Sequence, residues 1–184
     1  MRVIGGEFRS RGLKSVPGKD TRPTPDRLRE ALFSILAPRI EGAVFADLYA
    51  GTGAVGIEAL SRGARRVIFV ELSRPAVAVI RENLKSLGAE SRAEVRQAKA
   101  TAAGLKLDAD IIFLDPPYEL ERDYSVLLHR LTAPLVIAQH AKRFLLADAY
   151  GSLRRTRMLC QGDNTLSFYE PDANIELVGS NAGA

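Results

Sequence analysis

Two hydrophobic periods alternate along the chain. Leu28, Ala31, Leu32, Ile35 and Leu36 recur at spacings of three and four, one stripe of a helix. Thr24-Pro25-Asp26 predicts its start, with Thr24 as N-cap and Pro25 at the first helical position, and Pro38 predicts its end. Short apolar runs then alternate with helical stripes. Residues 43–49 read as a strand and 53–61 as a helix stopped by Gly63; 66–72 hold the buried run Val67-Ile68-Phe69-Val70. Ser73 predicts the cap of a helix that carries Val77, Ile80, Leu84 and Leu87 on one face and ends at Gly88. A weaker strand follows at 93–97, a buried one at 110–114, a helix around 124–131 and a strand at 135–138. Two late strands, 153–159 and 166–169, flank the turn Gln161-Gly162-Asp163-Asn164. Helices alternating with uniformly apolar strands imply an α/β fold, a parallel sheet covered on both faces. Ahead of it, Val3, Ile4, Phe8, Leu13 and Val16 alternate loosely among Gly and Arg and predict a small hairpin, with a loop over 17–23.

The organisation expected is therefore a hairpin-plus-helix extension over 1–40 packed on a core over 41–171. The Gly-, Ser-, Asn- and Ala-containing end of 172–184 predicts a mobile tail. A chain of 184 residues suits one domain with its own core. The lone cysteine, Cys160, excludes an internal disulfide framework and suits a reducing compartment. With His129 and His140 as the only histidines, a His/Cys zinc site is a poor expectation, and no metal is assigned. No apolar run reaches the length of a membrane span and the start lacks a signal-peptide pattern, so a cytoplasmic protein without a membrane partner is expected.

Charge is distributed unevenly. The net charge is +4, yet the first 29 residues hold eight basic and three acidic side chains, so the whole excess lies there. Arginine outnumbers lysine 20 to 6, and arginine favours bidentate contacts with phosphate. This reads as a nucleic-acid-facing arm, with Arg9, Arg11 and Lys14 on the hairpin and Arg27 and Arg29 on the helix as phosphate contacts.

Two motifs carry chemistry. Asp47-Leu48-Tyr49-Ala50-Gly51-Thr52-Gly53-Ala54-Val55-Gly56 follows a strand and opens a helix, and its glycines fit G-x-G-x-x-G. Glu71 lies 20 residues after Gly51 at the end of the next strand, where a carboxylate accepts from ribose hydroxyls. Such a loop serves a dinucleotide or S-adenosylmethionine. Asp47 in the same turn opposes a pyrophosphate and suits the α-ammonium of a methionyl group, which favours the latter. Tyr49, Gly51, Thr52, Gly53 and Leu72 are assigned to that site with Asp47 and Glu71. The second motif, Asp115-Pro116-Pro117-Tyr118, follows a central strand and falls beside the glycine loop. The Asp115 carboxylate and the Pro116 carbonyl can both face one amino group. An exocyclic base amine is a poor nucleophile because its lone pair delocalises into the ring. Two acceptors favour a more tetrahedral nitrogen whose lone pair points at a methyl sulfonium carbon. Tyr118 can stack on a base taken out of its helix. His140 and Tyr169 read as structural residues and Cys160 as a small buried hydrophobe.

With these residues in view the chain resembles the RsmD family of bacterial 16S ribosomal RNA guanine-N2 methyltransferases. The segments that carry the resemblance are Arg2-Val3-Ile4-Gly5-Gly6 with 9–13; 21–33, beginning Thr21-Arg22-Pro23-Thr24-Pro25-Asp26; 47–63; and Asp115 to Tyr118. The resemblance implies the class I S-adenosylmethionine-dependent methyltransferase fold, Rossmann-like and mostly parallel, with seven strands and the last antiparallel. It implies methyl transfer to the N2 amine of a guanine of the position-966 type, with 16S rRNA in a 30S particle as partner and a monomeric enzyme. Arg22 and Thr24, in its most specific segment, are assigned to the cleft on the cofactor side. Two stretches depart from the family pattern: Gln161-Gly162-Asp163-Asn164 stands where Tyr-Gly-Asp-Thr is usual, and Ile137-Ala138-Gln139-His140 where a Val-Glu-His-like run is usual. Ala98 and Lys99 occupy the region of an adenine-contacting polar residue, leaving that contact to backbone. The main alternative is adenine-N6 methylation of DNA or RNA through the same Asp-Pro-Pro-Tyr turn. A chain of this length leaves no space for a DNA-recognition module. An NAD-binding protein leaves that turn unexplained, and glutamine methylation usually places Asn where Asp115 stands.

Overall fold

The computed structural model describes residues 1–16, 24–103 and 107–173. In chain order the strands are β1 (Val44–Leu48), β2 (Arg66–Glu71), β3 (Ala93–Gln97), β4 (Ile111–Leu114), β5 (Leu135–Ala141), β6 (Ala149–Tyr150), β7 (Leu153–Gln161) and β8 (Asn164–Pro171). The helices are α1 (Asp26–Ile40), α2 (Ala54–Ser61), α3 (Arg74–Leu87), α4 (Ala100–Ala103) and α5 (Arg122–Leu128). One sheet runs in the order β3-β2-β1-β4-β5-β8-β7-β6. Strands β1 to β5 pair in parallel, whereas β8 is antiparallel to β5 and to β7. The last strand is thus antiparallel, as expected. The strand beyond the expected seven is β6, whose two residues are too few for any periodicity to signal.

Both sheet faces are covered, which is why the strands read as unbroken apolar runs. Phe45, Phe69, Phe113 and Ile137 pack with Leu32, Phe33 and Leu36 of α1 and Ile57 and Leu60 of α2. Ala46, Leu48, Ile68, Val70, Ile112 and Leu114 pack on the other side with Tyr124, Leu127 and Leu128 of α5.

Several local expectations are corrected. Helix α1 is capped by Pro25, not Thr24, and the Thr24 hydroxyl bonds elsewhere. The helix runs past Pro38 to Ile40. Proline's φ suits a helix, its cost is mainly one hydrogen bond near the end, and burial of Leu36 and Ile40 holds the last turn down. Ser73 occupies the cap position of α3 without a side-chain bond; its N–H donates instead to Glu71 Oε1 at 2.7 Å. Cys160 is exposed rather than buried, because β7 lies near the sheet edge and β6 covers only its first residues. His140 bonds Ser167 Oγ at 2.9 Å and its burial lowers its basicity; Tyr169 is fully buried with its hydroxyl on Ala147 O at 2.8 Å.

The N-terminal segment forms a single antiparallel bridge, Arg2 to Gly12, in place of a two-stranded hairpin. Gly6 and Ser10, both at positive φ, turn the chain over so that Val3, Phe8 and Leu13 enter the core. Glu58 of α2 is fully buried and accepts from the N–H groups of Ile4 and Gly5, each at 2.8 Å, and from Arg62 Nε at 2.8 Å. Phe8 N–H donates to Ser61 Oγ at 2.8 Å. Each helix returns antiparallel to the strand before it, so the ends of α2 and α3 lie near the amino ends of the strands. The N-terminal segment is therefore anchored at the far end of α2 by Glu58 and Ser61 and runs along α3 towards the carboxyl ends, where Lys14 N–H donates to Asn83 Oδ1 at 2.8 Å and Val16 packs with Ala76 and Val79.

Candidate active site

Strand order reverses about β1, whose neighbours are β2 and β4. Ligands of such sheets bind outside the carboxyl ends at this point. Side chains two apart on a strand share a face. Asp47 follows Phe45, Glu71 follows Phe69, Asp115 follows Phe113 and Gln139 follows Ile137, so four polar groups finish four strands on the same face. Leu48 pairs with Leu114 and Leu114 with Ala138, which sets Asp115 and Gln139 in one register row and Asp47 one pleat deeper.

The three glycines of the loop have different duties. Gly51 is at φ 56°, and a Cβ there would meet nothing nearer than Tyr49 O at 4.0 Å, so its open side faces the cleft. Gly53, at φ 79°, starts α2. Gly56 is a packing glycine, since a Cβ would fall 2.3 Å from the Phe69 ring. Glu71 ties the loop down: Oε2 accepts from Gly51 N–H at 2.9 Å while Oε1 accepts from Ser73 N–H. Each oxygen keeps a lone pair for a ligand hydroxyl. Leu72 stands beside it 56% exposed, an apolar side chain at the rim where a flat ring would cover it. Replacing Glu71 by alanine should weaken S-adenosylmethionine binding at least tenfold in calorimetry, because charge-assisted bonds to ribose are lost at roughly 1.5–3 kcal/mol each; unchanged affinity would count against the assignment.

Asp47 is 2% exposed and accepts Gly56 N–H through Oδ2 at 2.9 Å. Burial pushes its carboxyl up to about 7, with Glu71 adding repulsion. Asp115 is pushed up to about 8 by burial and then by Asp47. Two acids that resist ionisation, Asp47 buried and Asp115 half-buried, fit a site awaiting a cation, and S-adenosylmethionine carries a sulfonium and an ammonium. Tyr49 is held at φ 67°, a region ordinary side chains avoid. Its hydroxyl donates to Asp123 Oδ2 of α5 at 2.6 Å, so the ring serves the opposite sheet face and leaves the loop backbone toward the cleft. Thr52 is fixed through its carbonyl by Asn83 Nδ2 at 3.2 Å. Pro117 is extended and leads into a 3₁₀ turn over Tyr118–Leu120. Tyr118 is 52% exposed with the Arg143 guanidinium 5.7 Å from its ring centre.

The residues assigned to RNA are scattered. Arg29 is corrected outright. It is fully buried, bonds Arg2 O at 2.7 Å and Asp26 Oδ1 at 3.0 Å, and lies 3.9 Å from Glu58, so it cannot reach a phosphate. Arg11 Nη2 donates to Ser86 O at 2.8 Å and Lys14 pairs with Glu82 at 2.9 Å, both on the outer part of α3. Arg9 is exposed at the end of the sheet away from the Asp115 turn; Arg27 is exposed in the first turn of α1, next to Thr24 and near the cleft. Arg22 lies outside the described residues. Among the described residues no group of three or more His, Cys, Asp and Glu could hold a metal, and no helix is long and apolar enough to cross a membrane.

Sequence reasoning missed Gln139 and Arg143 as neighbours of the Asp115 turn. Gln139 Nε2 donates to Asp115 Oδ2 at 3.1 Å, and the Thr24 hydroxyl donates to Gln139 Oε1 at 3.2 Å. The available signal was a buried-strand pattern ending in two polar residues, Gln139-His140.

Comparison with known proteins agrees with this geometry. A family model described as Conserved hypothetical protein 95 matches residues 1–170. The chain is 35% identical over 182 residues to a putative rRNA methyltransferase, YlbH, of Bacillus subtilis, covering 92% of this chain and 98% of that one. It is 40% identical over 119 residues to the ribosomal RNA small subunit methyltransferase D of Escherichia coli, covering 64% of this chain and 60% of that one. Among solved structures, the putative methyltransferase yhhF from Escherichia coli superposes with a TM-score of 0.81 at 31% identity, covering 94% of this chain and 98% of that one.

Proposed function

The chain belongs to the RsmD family of methyltransferases, and from that premise we propose that it transfers a methyl group from S-adenosyl-L-methionine to the exocyclic N2 amine of a guanine in small-subunit ribosomal RNA. The observation that carries the chemistry is Asp115, a half-buried carboxylate on an Asp-Pro-Pro-Tyr turn that finishes the strand beside the glycine loop. When bound, the cofactor supplies an electrophilic methyl carbon. Asp47 would hold its ammonium and Glu71 its ribose, with the open side of Gly51 left to its chain. Asp115 and the Pro116 carbonyl accept from the two hydrogens of the amine and aim its lone pair; alignment supplies much of the rate. A carboxylate pushed up to about 8 is basic enough to take the proton that the amine would shed on methylation. Tyr118 offers its exposed ring for stacking. The names of the similar proteins support ribosomal RNA as substrate; choice of guanine N2 and of a 30S particle rests on the family resemblance.

Mass mapping of methylated nucleotides in small-subunit rRNA, from a strain lacking the gene and after adding the protein back, tests this reading. One guanine should lose and regain a single methyl on N2; a restored N6-methyladenine would replace it with the alternative.

The geometry also redistributes the expected RNA contacts. Among the described residues Lys142 and Arg143 form no ion pair, and Arg143 lies on Tyr118, whereas Arg11 and Lys14 are engaged on α3. Changing Lys142 and Arg143 together to alanine should flatten the salt dependence of RNA binding by about 1.5 units, at ~0.7–0.9 per lost phosphate contact. Changing Arg9 and Arg11 should flatten it less. Equal slopes for wild type and the Lys142/Arg143 variant would remove that rim from the interface.

A further inference from the structure

Gln139 touches Asp115 through a side-chain hydrogen bond, 3.1 Å from Nε2 to Oδ2. It stands near the end of β5, where Leu135, Val136, Ile137 and Ala138 are all buried, and is itself 6% exposed. An amide carries two donors and one acceptor oxygen. Nε2 faces Asp115, the orientation that the ionised carboxylate, which can only accept, requires, and Oε1 turns toward Thr24. Thr24 has a hydroxyl hydrogen to give and places it there at 3.2 Å. The Gln139 main chain is pinned separately, because its carbonyl accepts from the Tyr124 hydroxyl of α5. The rotamer, the amide orientation and the backbone are thus each fixed by a different element: the residue before α1, the turn after β4, and α5.

We propose that Gln139 is a positioning residue for methyl transfer: its amide, set by Thr24, holds the Asp115 carboxylate in the direction that receives the amino group of the base. The inference rests on the reading of Asp115 given above. A neutral donor suits this task because it gives its hydrogen at any pH, and a hydrogen bond given to a carboxylate favours its ionised form. The titratable groups that act on Asp115 from neighbouring elements are Asp47 of β1 and Tyr124 of α5, and neither can replace the donor: Asp47 is an acid, and the Tyr124 hydroxyl is spent on the Gln139 carbonyl. A carboxylate at 139 would face Asp115 as a second acid sharing one proton. Thr24 gives the arrangement a second consequence, since it immediately follows the segment 17–23 in sequence and so ties the start of α1 to the reacting turn.

The test has two independent readouts on the intact chain. The first is the titration of the Asp115 carboxyl, followed by carbon NMR in ligand-free wild type, Gln139→Ala, Gln139→Glu and Thr24→Val. Loss of the donor in Gln139→Ala should raise the Asp115 midpoint, Gln139→Glu should raise it by a full pH unit or more, and Thr24→Val should raise it least. An unmoved midpoint in Gln139→Glu overturns the proposal whatever the activity shows. The second is single-turnover methylation of rRNA against pH. In Gln139→Glu the acid limb should move to higher pH with unchanged KM for RNA, so that activity returns at alkaline pH. Gln139→Ala should lose about tenfold in turnover on the alkaline plateau, with its acid limb moved up alongside the Asp115 midpoint, and adding Thr24→Val should cost nothing more, because the two act through one bond chain. A role confined to packing would lower melting temperature and turnover together without moving the limb, and that outcome too overturns the proposal. If wild type methylates no nucleotide base while the Asp115 midpoint still answers to residue 139, the functional reading fails and the positioning contact stands.

Discussion

Asp115→Ala should reduce single-turnover methylation by ~10²-fold or more while S-adenosylmethionine affinity stays within about twofold, the signature of a group used mainly in the transition state. In the proposed mechanism the carboxylate is the acceptor that shapes the amine. The variant leaves Gln139 Nε2 without its acceptor, at a cost of ~1–3 kcal/mol of stability, so melting must be measured beside turnover. Asp115→Asn separates charge from shape: it fills the space, and its rate should fall nearly as far. Because burial and Asp47 push the carboxyl up to about 8, kcat/KM of the wild type should rise with pH through that region, as the free enzyme passes from the protonated to the ionised form. The same limb should vanish from the residual activity of Asp115→Asn. Wild-type turnover in Asp115→Ala would place the chemistry elsewhere in the molecule.

The sequence made the sheet and the reacting end of it legible for one physical reason. Strands buried on both faces are apolar throughout, so a carboxylate at the end of such a run stands out, and Asp47, Glu71 and Asp115 all announced themselves in that way. Glycine spacing marked the loop between two of them. What stayed hidden depended on distance across the fold. Arg29 looked like one more cation in a basic arm, and only the packing of α1 against Glu58 turns it inward. Lys14 and Glu82 are 68 residues apart, and no local pattern pairs them. Thr24 carried every mark of an N-cap, yet its hydroxyl found Gln139 on a strand 115 residues away. The path of the N-terminal segment was not readable: charge suggested a nucleic-acid-facing arm, while Glu58 and Ser61 anchor its first residues on α2 and Asn83 holds Lys14 against α3.

Asp47→Asn should have opposite effects on the empty protein and on its ligand. In the fold the Asp47 carboxyl is pushed up to about 7 by burial, against an ordinary value near 4. A raised carboxyl stabilises the fold fully only below the unfolded value, and that contribution is lost as pH rises through about 7, where a buried charge must be carried with Gly56 N–H as its partner. Asparagine offers the same N–H an amide oxygen and carries no charge. The ligand-free variant should therefore melt above wild type at pH 8, by an amount on the order of 1–2 kcal/mol or several degrees for a domain of this size, and the gap should close toward pH 4. Asp115 adds to the effect, since losing the Asp47 charge lets its own carboxyl ionise more easily. With ligand the order reverses. A buried carboxylate facing an ammonium is worth about 1.5–3 kcal/mol, so the variant should bind S-adenosylmethionine ~10- to 100-fold more weakly and show a much smaller thermal shift. Melting curves at pH 5 and pH 8, with and without the ligand, resolve all four terms. A ligand-free variant less stable than wild type at pH 8, or one with a full thermal shift, would show that Asp47 serves the fold rather than a bound cation.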